Sequence, residues 1–283
     1  MKISGKTKLL GILGDPVSHS LSPLMHNHAF EALGLDICYV PLHVKADHLA
    51  EAIDGLRAMQ FLGANVTIPH KVMAMALMDR LADSAIKVGA INTIVNDAGL
   101  LVGHNTDGAG FIRSLEETIS IDYAAASVVL LGAGGAARSV AFALAEKKVS
   151  QIVIINRTQE RAQELKSLLE RDFSSLSVVV KGIDDEFGDL ISTNKLVINA
   201  TSLGLTADLK SVPLWVDRLT KDHVVCDIVY RVQEKNPLLV AARDKGATAL
   251  GGLGMLLHQG AIAFHLWTGI EPPIDVMRNS IEP

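Results

Sequence analysis

A chain of 283 residues is long enough for two domains of ordinary size, each with its own core. With 49% hydrophobic and 20% charged residues it is too apolar for intrinsic disorder, and a net charge of −5 without a long run of either sign, with only 4% aromatics, excludes a basic, base-stacking nucleic-acid surface. No apolar stretch reaches the roughly 18 residues of a membrane span, and the short run 9–13, broken by glycine, is not read as a signal peptide, so the expected address is cytoplasmic.

In chain order, the apolar run 9–14 reads as a first strand. Ser22 is then expected to cap a helix that has Pro23 at its first position and runs to about Leu33. A second strand follows over 37–44, a helix over 46–59, and a third strand over 63–67, closed by Pro69. Asn105-Thr106-Asp107-Gly108 marks a boundary, because Asp before Gly is a helix-start signal and a helix from Ala109 leads into the next unit. Apolar runs at 127–131, 151–155, 196–199, 224–230 and 247–250 continue the alternation of strand and helix that builds mainly parallel sheets. Gly251-Gly252-Leu253-Gly254 then opens a long apolar helix, 255–267, that returns to the first domain.

The predicted fold class is therefore α/β. An N-terminal α/β substrate domain over 1–107, completed by C-terminal helices within 255–283, precedes a Rossmann-type, doubly wound dinucleotide-binding domain over 108–254, with a ligand cleft between them. Cys38 and Cys226 each lie in a strand-like run and read as buried free thiols, not as a disulfide or metal pair.

The dinucleotide reading rests on Gly132-Ala133-Gly134-Gly135-Ala136-Ala137, which follows an apolar strand and precedes a helix. Gly132 permits the tight turn, Gly134 lets backbone approach a pyrophosphate, and Ala137 is small enough for the helix to pack on the sheet. The free N–H groups around Ser139 are expected to face the phosphates. After the second strand stands Asn156-Arg157-Thr158, where an NAD site usually has an acid for the ribose hydroxyls. Arg157 offers instead a planar, permanently charged fork and Thr158 a hydroxyl, which suits the 2′-phosphate of NADP. The plainer reading of Arg157 is a solvated charge at a helix start.

A set of polar residues sits where strands end and helices begin, the usual ligand edge of open α/β sheets: Ser20, Ser22, Asn65, Thr67, Lys71, Asn92 and Asp107. Hydroxyls and amides in this number suit a polyhydroxylated small molecule. Each has a plainer reading as well: Ser22 and Asp107 as helix caps, Lys71 as a solvated charge after Pro69. His70 and His104 flank the two best candidates and are alternative acid–base groups. His26 and His28, two apart on a helix, point to different faces, and no metal site is expected.

Read together, Ser18-His19-Ser20-Leu21-Ser22-Pro23, Asn65-Val66-Thr67-Ile68-Pro69-His70-Lys71, Gly89-Ala90-Ile91-Asn92-Thr93 and Gly103-His104-Asn105-Thr106-Asp107-Gly108 resemble the successive signatures of the shikimate dehydrogenase family. The glycine turn, Asn156-Arg157-Thr158, Asn199-Ala200-Thr201-Ser202 and Gly252-Leu253-Gly254-Met255-Leu256-Leu257-His258-Gln259 continue the likeness over nearly the whole chain. The resemblance implies reversible reduction of 3-dehydroshikimate to shikimate with NADPH, on the route to chorismate and the aromatic amino acids. It implies Lys71 and Asp107 as the catalytic pair, and Ser20, Ser22, Asn65, Thr67, Asn92, Tyr230 and Gln259 as substrate-binding residues. For the cofactor it implies Gly132, Ala133, Gly134, Gly135, Ala136, Asn156, Arg157, Thr158, Thr201, Ser202, Gly252 and Met255. The partners expected are a small-molecule substrate only, with no nucleic acid or membrane, in a monomer or homodimer.

Two departures keep a second branch open. The strand ending at Tyr230 continues as Arg231-Val232-Gln233-Glu234-Lys235 before Asn236-Pro237, where the family often places an Asn-Pro turn directly. The segments 254–259 and 265–269 also resemble the quinate/shikimate dehydrogenases, whose members accept quinate and sometimes NAD. A catalytically silent cofactor-binding sensor on the same scaffold is a third reading, opposed by the presence of both Lys71 and Asp107.

Overall fold

The computed structural model describes residues 2–183, 188–201, 214–230 and 236–282. The chain divides into two compact units, Met1–Gly110 with Leu256–Pro283, and Phe111–Met255.

In the first unit the elements are β1 (Lys8–Gly14), α1 (Ser22–Ala32), β2 (Ile37–His43), α2 (Leu49–Ala58), β3 (Gly63–Val66), β4 (Arg80–Leu81), α3 (Asp83–Val88), β5 (Thr93–Asp97), β6 (Leu100–His104) and the start of α4 (Asp107–Thr118). Its six strands lie in the order β2-β1-β3-β5-β6-β4. The first three are parallel, while β5 runs antiparallel to both β3 and β6. That reversal matters for the site. Asn65 at the end of β3 is in register with Thr93 at the start of β5, and Thr93 with His104 at the end of β6, so three loops meet at one sheet edge.

The β5–β6 hairpin was not expected from the sequence. Its turn places Ala98 and Gly99 both at positive φ, 52° and 98°, the backbone that a two-residue hairpin loop requires. The helix expected over 46–59 is a short 3₁₀ turn, Ala46–His48, followed by α2. Ser22 is not the cap it was expected to be: α1 begins at Ser22 itself, Leu21 stands at the cap position without a side-chain bond, and Pro23 follows one place later.

In the second unit the elements are the rest of α4, β7 (Ser127–Leu131), α5 (Gly135–Glu146), β8 (Gln151–Ile155), α6 (Gln159–Asp172), β9 (Ser177–Lys181), α7 (Gly188–Thr193), β10 (Leu196–Asn199), β11 (Val224–Asp227), α8 (Pro237–Asp244), β12 (Thr248–Gly251) and the start of α9 (Leu253–Thr268). The strand order is β12-β11-β10-β7-β8-β9, every pairing parallel. This is a doubly wound sheet with its switch point between β7 and β10, where such folds bind ligands. Valine, isoleucine and leucine fill most of β7, β8 and β10, as strands covered on both faces require. Cys38 and Cys226 are both buried and free.

The remainder of α9 and α10 (Ile274–Ile281) completes the first unit. There Phe264 stacks on Phe30 at 5.2 Å between ring centroids, and the Trp267 indole N–H donates to the Ile94 carbonyl at 2.9 Å. His26 is buried within the same cluster, stacked 4.7 Å from Tyr39. Among the described residues no helix is long and apolar enough to cross a membrane.

Candidate active site

The first unit gathers its polar side chains where β3 and β6 end and β5 begins. Lys71 Nζ donates to Asp107 Oδ2 at 2.5 Å, with the lysine side chain 13% and the aspartate 5% exposed. Asp107 opens α4, so the partial positive charge of the helix N-terminus stabilises its carboxylate. Its other oxygen accepts from Asn92 Nδ2 at 2.8 Å. The same amide nitrogen lies 2.8 Å from Thr106 Oγ1 and 3.2 Å from Gln259 Oε1, while Asn92 Oδ1 accepts from the Thr106 N–H at 2.8 Å. Lys71, Asn92, Asp107 and Gln259 thus form one hydrogen-bonded cluster.

Gln259 reaches the cluster because α9 comes very close to α4 at Gly110. A Cβ there would lie 2.5 Å from the Gln259 backbone nitrogen. One Gln259 amide hydrogen goes to the Leu256 carbonyl at 2.8 Å and the amide oxygen faces Asn92, leaving one N–H for a ligand.

Asn65 is placed differently. Its oxygen accepts from the Tyr39 hydroxyl at 2.7 Å, and its amide nitrogen donates to the Asn92 carbonyl at 3.0 Å and to Thr93 Oγ1 at 3.1 Å. Both amide hydrogens are engaged by the protein, and Thr93 passes its own hydroxyl hydrogen to Asn92 Oδ1 at 3.0 Å. Asn65 therefore backs Asn92 from behind. Ser20 Oγ accepts from the Ser22 N–H at 3.2 Å, and no direct bond joins this serine pair to the Lys71 cluster among the described residues. Thr67 leans over the end of β1, where a Cβ on Gly14 would meet its methyl at 2.4 Å.

The flanking histidines differ. His70 is fully buried with Nε2 2.6 Å from the Val44 carbonyl, which fixes its proton on that nitrogen. His104 is half-buried, and desolvation lowers its pKa. Among the described residues no cluster of three or more His, Cys, Asp or Glu side chains is arranged to hold a metal ion.

In the second unit Gly132 has φ +111°, and a Cβ there would approach the Ala200 carbonyl oxygen to 2.9 Å. Gly134 caps α5, is exposed, and would have nothing within 4 Å of a Cβ. The Arg138 N–H already bonds the Gly134 carbonyl at 2.9 Å, so the free donors are those of residues 135–137. Ser139, where free donors were expected, lies a turn further in: it is buried and returns its hydroxyl to the Gly135 carbonyl at 2.9 Å. Ala133, Gly135 and Ala136 form the rest of the turn.

At the end of β8, Asn156 Nδ2 donates to the Thr158 carbonyl at 2.7 Å. Arg157 and Thr158 are exposed, and no described acid pairs with the guanidinium. An open glycine turn, with donors and an arginine beyond the second strand that have no partner among the described residues, fits a dinucleotide with an additional phosphate. Thr201 is held by Asn199, Gly252 presses on the Ile228 carbonyl oxygen, 2.2 Å from where its Cβ would be, and Met255 is buried. Tyr230, half-buried after β11, lines a cavity of about 430 Å³ with Asn236, Leu239, Arg243, Gly252 and Leu253. Ser202 lies outside the described residues.

Sequence reasoning missed Tyr39, Thr93, Thr106 and Gly110. Thr106 sits inside the recognised Asn105–Asp107 stretch and was within reach. Tyr39 is 26 positions from Asn65 and carried no local signal.

Residues 12–94 match the family model described as shikimate dehydrogenase substrate binding domain, 114–206 that of shikimate / quinate 5-dehydrogenase, and 252–282 that of the shikimate 5′-dehydrogenase C-terminal domain. The shikimate dehydrogenase (NADP(+)) of Desulforamulus reducens is 44% identical over 280 residues, covering 98% of this chain and 96% of its own. That of Moorella thermoacetica is 46% identical over 277 residues, covering 98% and 93%. A solved shikimate dehydrogenase in complex with NADP+ superposes with a TM-score of 0.90 at 40% identity, covering 99% of this chain and 96% of that one.

Proposed function

The chain belongs to the shikimate dehydrogenase family, and on that premise we infer that it catalyses the reversible, NADP-dependent reduction of 3-dehydroshikimate to shikimate. The observation that carries this reading to particular residues is the buried Lys71–Asp107 pair at 2.5 Å, with the second aspartate oxygen held by Asn92.

Bound NADPH supplies the hydride. The residues of this chain do the rest. Negative charge builds on the substrate's carbonyl oxygen as the ketone is reduced, and a donor must stand within hydrogen-bond reach of it. Lys71 Nζ stabilises that oxygen and delivers the proton; in the oxidative direction it takes the proton back. Asp107 Oδ2 orients the ammonium and holds a neighbouring ring hydroxyl. Ser20 and Ser22 hold the carboxylate, Thr67 and the free N–H of Gln259 read ring hydroxyls, and Asn92 fixes Asp107 at the edge of the pocket. Asn65 acts through Asn92. Tyr230 contributes a further hydroxyl.

On the cofactor side the N–H groups of 135–137 and the Gly132–Gly134 backbone take the pyrophosphate, Arg157 with Asn156 and Thr158 the 2′-phosphate, and Thr201, Ser202, Gly252 and Met255 the remainder. The absence of an acid after β8 together with an unpaired Arg157 supports NADP over NAD. The enzyme acts on a small molecule in the cytoplasm as a monomer or homodimer, on the biosynthetic route to aromatic amino acids. Initial rates for shikimate and quinate, each with NADP and with NAD, test the reading. The shikimate–NADP pair is expected to give the highest kcat/KM. A higher value for quinate, which carries an extra hydroxyl at the carboxylate-bearing carbon, would overturn the substrate assignment.

A further inference from the structure

Asp227, the last residue of β11, is 3% exposed and accepts three N–H bonds from described residues. Oδ1 takes Asn199 Nδ2 at 3.1 Å and the Val229 backbone N–H at 3.0 Å; Oδ2 takes Asn236 Nδ2 at 2.9 Å. Both asparagines are oriented from their far sides. Asn199 Oδ1 accepts from the Thr201 hydroxyl at 2.7 Å and its N–H at 3.2 Å. Asn236 Oδ1 caps α8, accepting from the N–H groups of Leu238 and Leu239 at 3.0 and 3.3 Å. Neither amide can turn its oxygen inward without abandoning those donors. Position 227 therefore faces donors from all three of these groups, and an ionised carboxylate, an acceptor on both oxygens, answers them.

The three donors come from three loops along the carboxyl edge of the second sheet: the turn after β10, the exit of β11 and the start of α8. The first of these also supports the glycine turn, since the Ala200 carbonyl oxygen stands 2.9 Å from where a Gly132 Cβ would be. Ligands of doubly wound sheets rest on this edge. We propose that Asp227 is a positioning residue for the dinucleotide, a buried carboxylate that sets the spacing of the loops on which NADP lies without touching it. The proposal rests on the NADP-dependent reading above.

A compensating substitution tests it. Asp227→Asn confronts one donor with another amide. Among the described donors two face Oδ1 and one faces Oδ2, so the new amide nitrogen is expected to turn toward position 236. Adding Asn236→Asp supplies an acceptor there and still caps α8, since Asp and Asn cap equally well. Asn236→Asp alone sets two carboxylates face to face. Each single substitution is expected to raise the NADP KM and the NADPH dissociation constant, followed by nicotinamide fluorescence, about tenfold or more, with the shikimate KM unchanged within about twofold. The double variant should return both cofactor values to within about threefold of wild type. Adding Asn199→Asp to Asp227→Asn should not, because the Val229 N–H is then left unpaired.

Measurements are made well below each melting temperature. Should Asp227→Asn not fold, Asn236→Asp and the double variant still decide. A fall in melting temperature with unchanged cofactor binding, or rescue by Asn199→Asp equal to that by Asn236→Asp, overturns the proposal. Absence of NADP-linked shikimate oxidation in the wild type would instead remove the reading on which it rests.

Discussion

The polar clusters of the two units are built on opposite plans. Around Lys71 nearly every polar atom already has a protein partner: Lys71 with Asp107, Asp107 with Asn92, Asn92 with Thr106 and Gln259, and Asn65 behind them all. Around the glycine turn the groups that count are open. Gly134 has empty space where a Cβ would stand, the first N–H groups of α5 are unfilled, and Arg157 is exposed with no described acid beside it. A network satisfied in advance needs no reorganisation when charge develops, which serves a chemical step. Open donors and an unpaired charge serve binding. Damage to the first half should therefore appear in kcat, and damage to the second in the KM of the cofactor.

The sharpest way to break this contrast is Lys71→Ala. It is expected to lower kcat by about 10²–10⁴-fold with a much smaller change in substrate binding. Near-normal kcat in that variant, with loss in His70→Ala or His104→Ala, would move the proton to a histidine.

Next in size is Arg157→Ala. Loss of charge-assisted bonds worth about 1.5–3 kcal/mol should raise the NADP KM roughly ten- to a hundredfold, with kcat and the NAD KM nearly unchanged. Equal kcat/KM for NADP and NAD in the wild type would leave Arg157 without the assigned role.

Two glycine substitutions compare the halves directly. Gly110→Ala drives a methyl against Gln259, 2.5 Å from its backbone nitrogen and 2.7 Å from its Cβ, and should destabilise the protein by about 1–3 kcal/mol in chemical denaturation. Gly134→Ala meets nothing within 4 Å and should leave stability unchanged while weakening cofactor binding. A stability loss at Gly134 equal to that at Gly110 would erase the distinction.

The remaining effect is a slope with pH. Burial pushes His26 from 6.5 down to about 3. Above pH 6.5 it is neutral folded and unfolded and contributes nothing to pH dependence. Between pH 6.5 and about 3 only the unfolded chain takes the proton, so stability falls by about 1.4 kcal/mol per pH unit from this residue. In the second unit desolvation raises Cys226 from 9.0 to about 12, so its contribution is lost as pH rises through that window. Denaturant titrations of His26→Phe at pH 7, 5.5 and 4 should show a shallower acid slope than wild type. An unchanged slope would mean that His26 titrates normally.

The second sheet was legible because its strands are covered on both faces, and runs such as Val128 to Leu131 and Ile152 to Ile155 can be little else in an alternating chain. The β5–β6 hairpin was not, because Thr93 to Asp97 mixes buried and half-exposed positions and its Asp-Ala-Gly turn is weaker than Asn-Gly. Lys71 and Asp107 were legible as candidates from their motifs, but what holds the pair they form was not. Asn92 and Gln259 are 167 positions apart, and Asp227 stood in the middle of an apolar run, 224–230, that read as one strand. Hydrogen bonds of that reach are products of the fold and leave no local pattern.

The first unit begins the chain and yet is finished last. Its helices from Leu256 onward, which bring Phe264 against Phe30, Trp267 to Ile94 and Gln259 to Asn92, are synthesised only after all of Phe111–Met255. On the ribosome the second unit can close first, while the aromatic face of α1 and the Ile94 carbonyl of β5 wait for residues still to be made. The interval makes the nascent N-terminal sheet the species that a holdase would have to cover. It also means that a chain arrested before Leu256 has the sequence of the cofactor unit but no complete chemistry.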